Sequence, residues 1–221
     1  MNDAFSALEN SFYALDAHTA SRGLAHIVQK LLPRLVPVWH PLGFIHVKLA
    51  QAENGDSFRL HAWTPNRETS HEQSEKIHDH LFNVHSRVIF GAVRNLRYSF
   101  QEKASGPYQA RRVVYLSAGN SYLSDTNNFG DLFLIDAQDY RAPTLYTVPK
   151  FEIHETVHVD DSPALTFVHT TGSTDYQPRA IFHRSSPLPP PRTPINCDRG
   201  IWLTLLADML PLSADLEGNS T

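Results

Sequence analysis

The residues whose type and spacing best fit chemistry are histidines. In Lys76-Ile77-His78-Asp79-His80-Leu81-Phe82 two imidazoles are separated by one residue. In a strand such a pair projects from one face, so both side chains reach a single ion, while Asp79 between them points out. A catalytic metal usually takes a third protein ligand and leaves positions open for water, dioxygen or substrate. The best source of that ligand is Pro149-Lys150-Phe151-Glu152-Ile153-His154, where a turn proline feeds a strand. Apolar Phe151, Ile153, Val157 and Val159 alternate there with Glu152, His154, Thr156 and His158. Strand parity from His80 turns Val84 inward and His85 outward, unless a bulge brings His85 in as an extra ligand.

The elements that must position these residues follow from periodicity. Phe5, Leu8, Phe12 and Leu15 recur at helical spacing, and so do Leu24, Ile27, Val28, Leu31 and Leu32 before Pro33. From Gly43 the period changes to that of strands. Residues 44–49 and 58–63 around Asn54-Gly55-Asp56 read as a hairpin. Further strands are expected over 87–100, 110–117, 132–135, 144–148, 151–159, 164–169 and 179–184. Many short strands broken by Gly, Pro, Asn and Asp argue a sandwich or closed barrel. Residues 187–194 form a proline-rich strap, residues 200–212 a final apolar helix, and residues 213–221 a frayed tail. The Asn-rich segment 119–130 is either a lid or an idle connection.

Composition narrows the classes. The 221 residues carry a net charge of −4, which offers no basic field for nucleic acid or an acidic membrane surface. Neither a leader nor an apolar run of membrane-spanning length is seen, and Cys197 is the one cysteine, so a cytoplasmic protein without disulfides is expected. Histidine is unusually common, at 13 against 19 for lysine and arginine together. His18, His26, His40, His71 and His183 read as surface or loop residues, and His46 and His61 on the first hairpin receive no role.

The metal-binding pattern resembles the cupins. Their first motif places an HxH pair ahead of a carboxylate and a glycine, and their second places a histidine downstream of a proline. His78, His80 and Gly91 fit the first; Pro149 and His154 fit the second. The family's glutamate falls on Val84, its glycine two residues after the proline on Phe151, and its late asparagine on His158. A three-histidine site without carboxylate is similar to that of the thiol dioxygenases, which bind Fe(II) through three imidazoles. Their Ser-His-Tyr series corresponds here to Phe167, His169 and Thr171, so only the histidine is kept, and no cysteine near Val84 offers the cysteine-tyrosine crosslink. The resemblance spans residues 43–184 in fold. It implies an all-β double-stranded β-helix, or jelly-roll barrel, in one domain over 1–221: a helical extension at 1–40, the barrel at 43–184, and the strap and C-terminal helix at 185–221.

With His78, His80 and His154 as ligands, the metal is expected to be Fe(II), with Zn, Mn or Ni as alternatives. The expected activity is a nonheme dioxygenase-like oxidation of a small, carboxylate-bearing substrate by O2. Neutral ligands leave charge on the metal for an anionic substrate. Arg59, Arg94 and Arg97 are candidate carboxylate anchors, and Tyr98 and Tyr115 candidate orienting hydroxyls. His158, Glu152 and His169 are the candidate catalytic side chains around the metal. A redox-neutral isomerase or lyase and a non-catalytic binding cupin stay open, and an exposed edge strand invites a homodimer.

Overall fold

The computed structural model describes residues 2–64, 76–159 and 162–212. Two helices come first, α1 (Asn2–Phe12) and α2 (Ala17–Leu31), followed by β1 (Val38–Trp39) and the hairpin β2 (Phe44–Gln51) and β3 (Ser57–Trp63). Then come β4 (Asn83–Phe90), β5 (Ala92–Glu102), β6 (Tyr108–Tyr115), β7 (Ser121–Ser124) and β8 (Phe129–Arg141). The chain continues through β9 (Leu145–Val148), β10 (Ile153–His158), β11 (Ala164–Thr171), β12 (Arg179–His183) and β13 (Ile195–Asn196) to α3 (Arg199–Met209). The expected all-β jelly roll is present, with helices at both ends. The tail from 213 and His71 lie outside the described residues.

The strands form two antiparallel sheets, one in the order β13-β1-β2-β3-β11-β4-β9 and the other β10-β5-β8-β6-β12 with β7 beside β6. The histidine pair lies in neither sheet proper. His78 forms isolated bridges to His154 of β10 and Ala180 of β12, exchanging both backbone hydrogen bonds with His154 at 2.9 and 2.8 Å. Residues 77–79 therefore stitch the two outer strands of the second sheet together and close it.

Each strand of the first sheet has two different faces. On β2, β3 and β11 the residues Ile45, Val47, Phe58, Leu60, Leu165 and Phe167 are buried against Leu8, Phe12, Leu24 and Val28 of α1 and α2 and Trp202 and Leu206 of α3. The main apolar core is thus outside the barrel, under the helices, where each fully buried large side chain contributes about 1.5–3 kcal/mol. Helices α2 and α3 each start on an aspartate cap: Asp16 accepts from Thr19 N at 2.8 Å and Asp198 from Ile201 N at 3.0 Å, filling donors that a first turn leaves open. The alternate residues, including His46, Arg59, His61, Thr166 and Thr170, face the barrel interior.

The expected strand 87–100 is two strands. Gly91, at φ 69°, breaks it into β4 and β5. The segment 119–130 is neither lid nor idle loop, since it contains β7, paired with β6. No helix among the described residues is long and apolar enough to cross a membrane.

Candidate metal centre and cavity

The barrel interior holds a cavity of about 500 Å3, within the size range of sites for small molecules. His78, His80 and His154 line it, and their ligand nitrogens lie within 4.8 Å of one another. They are the one group of three or more such donors among the described residues.

Hydrogen bonding fixes which nitrogen each ring offers. His78 Nδ1 donates to Lys76 O at 2.8 Å, and His154 Nδ1 donates to Asn95 Oδ1 at 2.8 Å, leaving both Nε2 atoms bare. Asn95 Oδ1 also accepts from Thr156 Oγ1 at 3.1 Å, which holds the amide in place. His80 Nε2 lies 3.0 Å from His154 Nε2, so His80 carries the proton between them and must shift it to Nδ1 when the three nitrogens take a cation. The His80 ring is stacked on Phe82 at 5.2 Å. Burial lowers the pKa of His78. It sets His80 and His154 well below the ordinary value, helped by the neighbouring histidines. All three are therefore neutral near pH 7, the form that binds metal. Neutral nitrogen donors suit Fe(II), Zn or Ni better than hard cations such as Ca or Mg, so this donor set fits a divalent transition metal.

The other sequence-selected residues divide sharply. Val84 lines the cavity, at the position where the resembled family carries a carboxylate. Arg59 and Tyr115 line it too, Tyr115 at the rim with 61% of its surface exposed. Arg59 Nε donates to Ser57 Oγ at 3.0 Å, and its guanidinium lies 5.2 Å from the Phe82 ring centre.

The remaining assignments are corrected. Glu152 sits in the turn before β10 and pairs with Arg97 at 2.8 Å on the outer surface, because Phe151 takes a left-handed φ of 70° and the strand begins only at Ile153. Arg97 is thereby committed as well. Arg94 Nη2 donates to Asp139 Oδ2 at 3.0 Å across β5 and β8. The Tyr98 hydroxyl donates to Glu155 at 3.4 Å, and burial pushes that phenol up to about 12. His158, two pleats along β10 from His154, does not line the cavity. His169 faces the helices, since the cavity side of β11 belongs to the even positions; its Nδ1 meets the Tyr13 hydroxyl at 3.0 Å and its ring stacks on Phe58 at 4.1 Å.

Asp79 also departs from expectation, being buried and not turned to solvent. It accepts from Arg179 Nε at 2.7 Å, Arg179 N at 2.6 Å and the Tyr176 hydroxyl at 2.9 Å, anchoring the strand that carries the histidine pair. His85 faces away from the triad, between Thr147 Oγ1 at 3.0 Å and Thr171 Oγ1 at 3.1 Å.

Sequence reasoning missed His40, His46 and His61, all of which line the cavity. The signal was available in the hairpin. His46 is paired in register with His61, and alternation with Ile45, Val47, Leu60 and Ala62 turns both to the face that Arg59 occupies.

No family model matches the chain, and no curated protein matches it. Among solved structures it is similar to a conserved protein with a double-stranded beta-helix domain from Klebsiella pneumoniae subsp. pneumoniae MGH 78578, with 9% identity, 62% of this chain and 84% of that one covered, and a TM-score of 0.36. Oxalate decarboxylase from Bacillus subtilis is similar at 16% identity over 66% of this chain, with a TM-score of 0.33; the match spans only 29% of that enzyme's chain. A structure from work on the DMSP lyases RdDddP and RnDddQII gives 15% identity, coverage of 62% and 51%, and a TM-score of 0.30.

Proposed function

We propose that this chain is a metal-dependent cupin enzyme, a nonheme Fe(II) oxygenase that oxidises a small carboxylate-bearing substrate with O2. The observation that carries the reading is the convergence of three neutral imidazoles, a ligand set without a carboxylate, on a cavity that also contains Arg59. His78, His80 and His154 would hold the metal through Nε2. Bound Fe(II) supplies the one-electron chemistry that lets dioxygen react with an organic substrate. The protein's own part is positioning: Asn95 and the Lys76 carbonyl orient two of the ligands, Arg59 attracts the substrate's carboxylate, and Tyr115 stands over the opening. Because none of the three ligands brings negative charge, the loaded site stays cationic and favours an anion.

A second reading is a redox-neutral isomerase or lyase using Zn, Mn or Ni as Lewis acid. It is favoured by neutral imidazoles in the cavity besides the triad, which can move a proton.

The test is metal analysis of protein purified without chelator and reconstituted anaerobically with Fe(II), for wild type and for His78→Ala, His80→Ala and His154→Ala, followed by oxygen uptake. Near-stoichiometric iron that is lost in each variant, with iron-dependent oxygen consumption on small carboxylic acids, is the expected result. A preference for Zn or Mn without oxygen uptake selects the second reading. A wild type that takes no metal overturns both and leaves a binding cupin.

A further inference from the structure

The cavity contains a second histidine group, separate from the triad. His40 and His46 have ring centres 6.2 Å apart, and His46 and His61 are 6.0 Å apart. This group is not among the potential metal-ligand sets of the described residues. What it offers is hydrogen bonding. Burial lowers all three pKa values, that of His46 to about 4, so each ring is neutral and presents one N–H. His40 Nδ1 accepts from Leu42 N at 3.3 Å, which places its proton on Nε2. His46 and His61 make no hydrogen bond with any described residue.

Arg59 lies on the same strand face as His61, two residues away. Burial lowers its pKa, and the one hydrogen bond it makes among the described residues is to a neutral hydroxyl. None of the ion pairs among those residues engages it. A guanidinium with no counter-charge among the described residues, beside imidazoles with unspent donors, is costly unless something answers it. A bound anion in the cavity supplies such an answer.

The walls define the rest of the ligand. Trp39, Leu42, Phe44 and Trp63 line the same side of the cavity, with Phe44 packed on His40 at 4.4 Å and on His61 at 4.6 Å. At roughly 30 Å3 per water-sized group, about 500 Å3 accommodates on the order of fifteen non-hydrogen atoms, well beyond a small amino acid.

We propose that Arg59, His46 and His61, with His40 beside them, form a carboxylate-recognition subsite whose ligand is an amphipathic acid with a ring or branched apolar body. The carboxylate meets Arg59 and the imidazole N–H groups, and the body lies against the aromatic wall. The inference rests on the reading of this cavity as the substrate site, yet it does not depend on metal.

Isothermal titration of metal-free full-length protein tests it, with 2-naphthoate, its neutral analogue 2-naphthamide, and acetate as probes. Wild type is expected to bind 2-naphthoate at least about tenfold more tightly than either of the others, the scale of one lost hydrogen bond to a charged group. Arg59→Met and the double variant His46→Leu/His61→Leu should each weaken 2-naphthoate by about tenfold or more. Because the titration uses metal-free protein, its outcome does not depend on whether the triad takes a metal, which separates failure of the subsite from failure of the metal reading. Equal affinity for the acid and the amide overturns the proposal, as does undiminished binding by folded variants, or no binding of any probe. Should the variants not fold, as judged by thermal melting, the comparison of acid and amide on wild type decides alone.

Discussion

His154 Nδ1 and Asn95 Oδ1 are 2.8 Å apart, joined across the β10 and β5 pairing, and this single bond determines which nitrogen of His154 faces the cavity. Both side chains are buried. A partner of this kind fixes the tautomer and ring orientation of a ligating histidine, and its loss typically weakens metal binding by about 10–100-fold. Asn95→Leu should therefore raise the dissociation constant for the metal by about that factor, measured by competition with a chromophoric chelator. Asn95→Asp keeps an acceptor for Nδ1–H and should retain most of the affinity. Equal metal binding by the leucine variant and wild type would remove Asn95 from the account.

Asp79 makes a second, larger claim on the site. Its carboxylate is fully enclosed and takes three hydrogen bonds from Arg179 and Tyr176, while its two chain neighbours are the histidine pair itself, His78 and His80. Removing one partner of such a buried pair typically costs about 3–5 kcal/mol, because the other charge is left uncompensated. Arg179 retains 31% exposure, which places Asp79→Ala toward the lower end of that range. Urea unfolding measures the loss, and metal content should fall with it in the folded fraction. Tyr176→Phe, which removes one donor, should cost about 1 kcal/mol and leave the metal in place.

How much of this was legible in the sequence depends on range. The β2 and β3 hairpin follows from local alternation around Asn54-Gly55-Asp56, and the observed bounds extend the expected ones by two residues or fewer at each end. The triad was legible because spacing within each motif is local, although His78 sits in an isolated bridge and neither it nor His80 belongs to a regular strand. Phe151 shows the opposite situation. The backbone there takes a left-handed φ, although the residue is not glycine. A strand counted through that turn assigns Glu152 to the wrong surroundings, whereas His158 shares the face of His154 and simply lies too far along β10 to reach the cavity. His169 and Tyr98 were misplaced because sequence order does not reveal which face of β11 the helices cover, nor that β5 shifts register between Arg97 and Tyr98. Local alternation in the hairpin puts His46 and His61 on one face, but that this face is the inside of a cavity depends on the second sheet closing over the first, a long-range event.

Gly91 tests the joint between β4 and β5. Its φ is 69°, and a Cβ there would collide with the Pro163 carbonyl oxygen while lying 3.1 Å from Ala164 Cα. The left-handed conformation alone costs a residue with a side chain about 1–2 kcal/mol, and the carbonyl belongs to backbone that cannot swing aside. Gly91→Ala should thus destabilise the protein by at least about 2 kcal/mol in denaturant unfolding. A change within experimental error would mean that the close approach of the two chain segments is relaxed in solution.

The pH dependence of stability follows from the second histidine group. His46 has a folded pKa of about 4 against an ordinary 6.5, the largest cause being its burial, and His40 and His61 are lowered well below 6.5 for the same reason. Between the two values the unfolded chain binds a proton that the folded chain refuses, so protonation favours unfolding. The stability is fully present above pH 6.5 and is lost as the pH falls toward about 4. The shift of His46 corresponds to roughly 3 kcal/mol over that interval, with further loss from its two neighbours and from the triad, which burial also lowers. Metal-free protein, whose triad is equally free in every sample, should show a melting temperature that is flat near neutrality and drops steeply below pH 6.5. His46→Leu replaces the titrating ring with a side chain that cannot take the proton, so its melting temperature should fall less over the same interval. If the variant and wild type decline in parallel, the imidazole is hydrated in solution and the hydrogen-bonding donors ascribed to it are already satisfied by water.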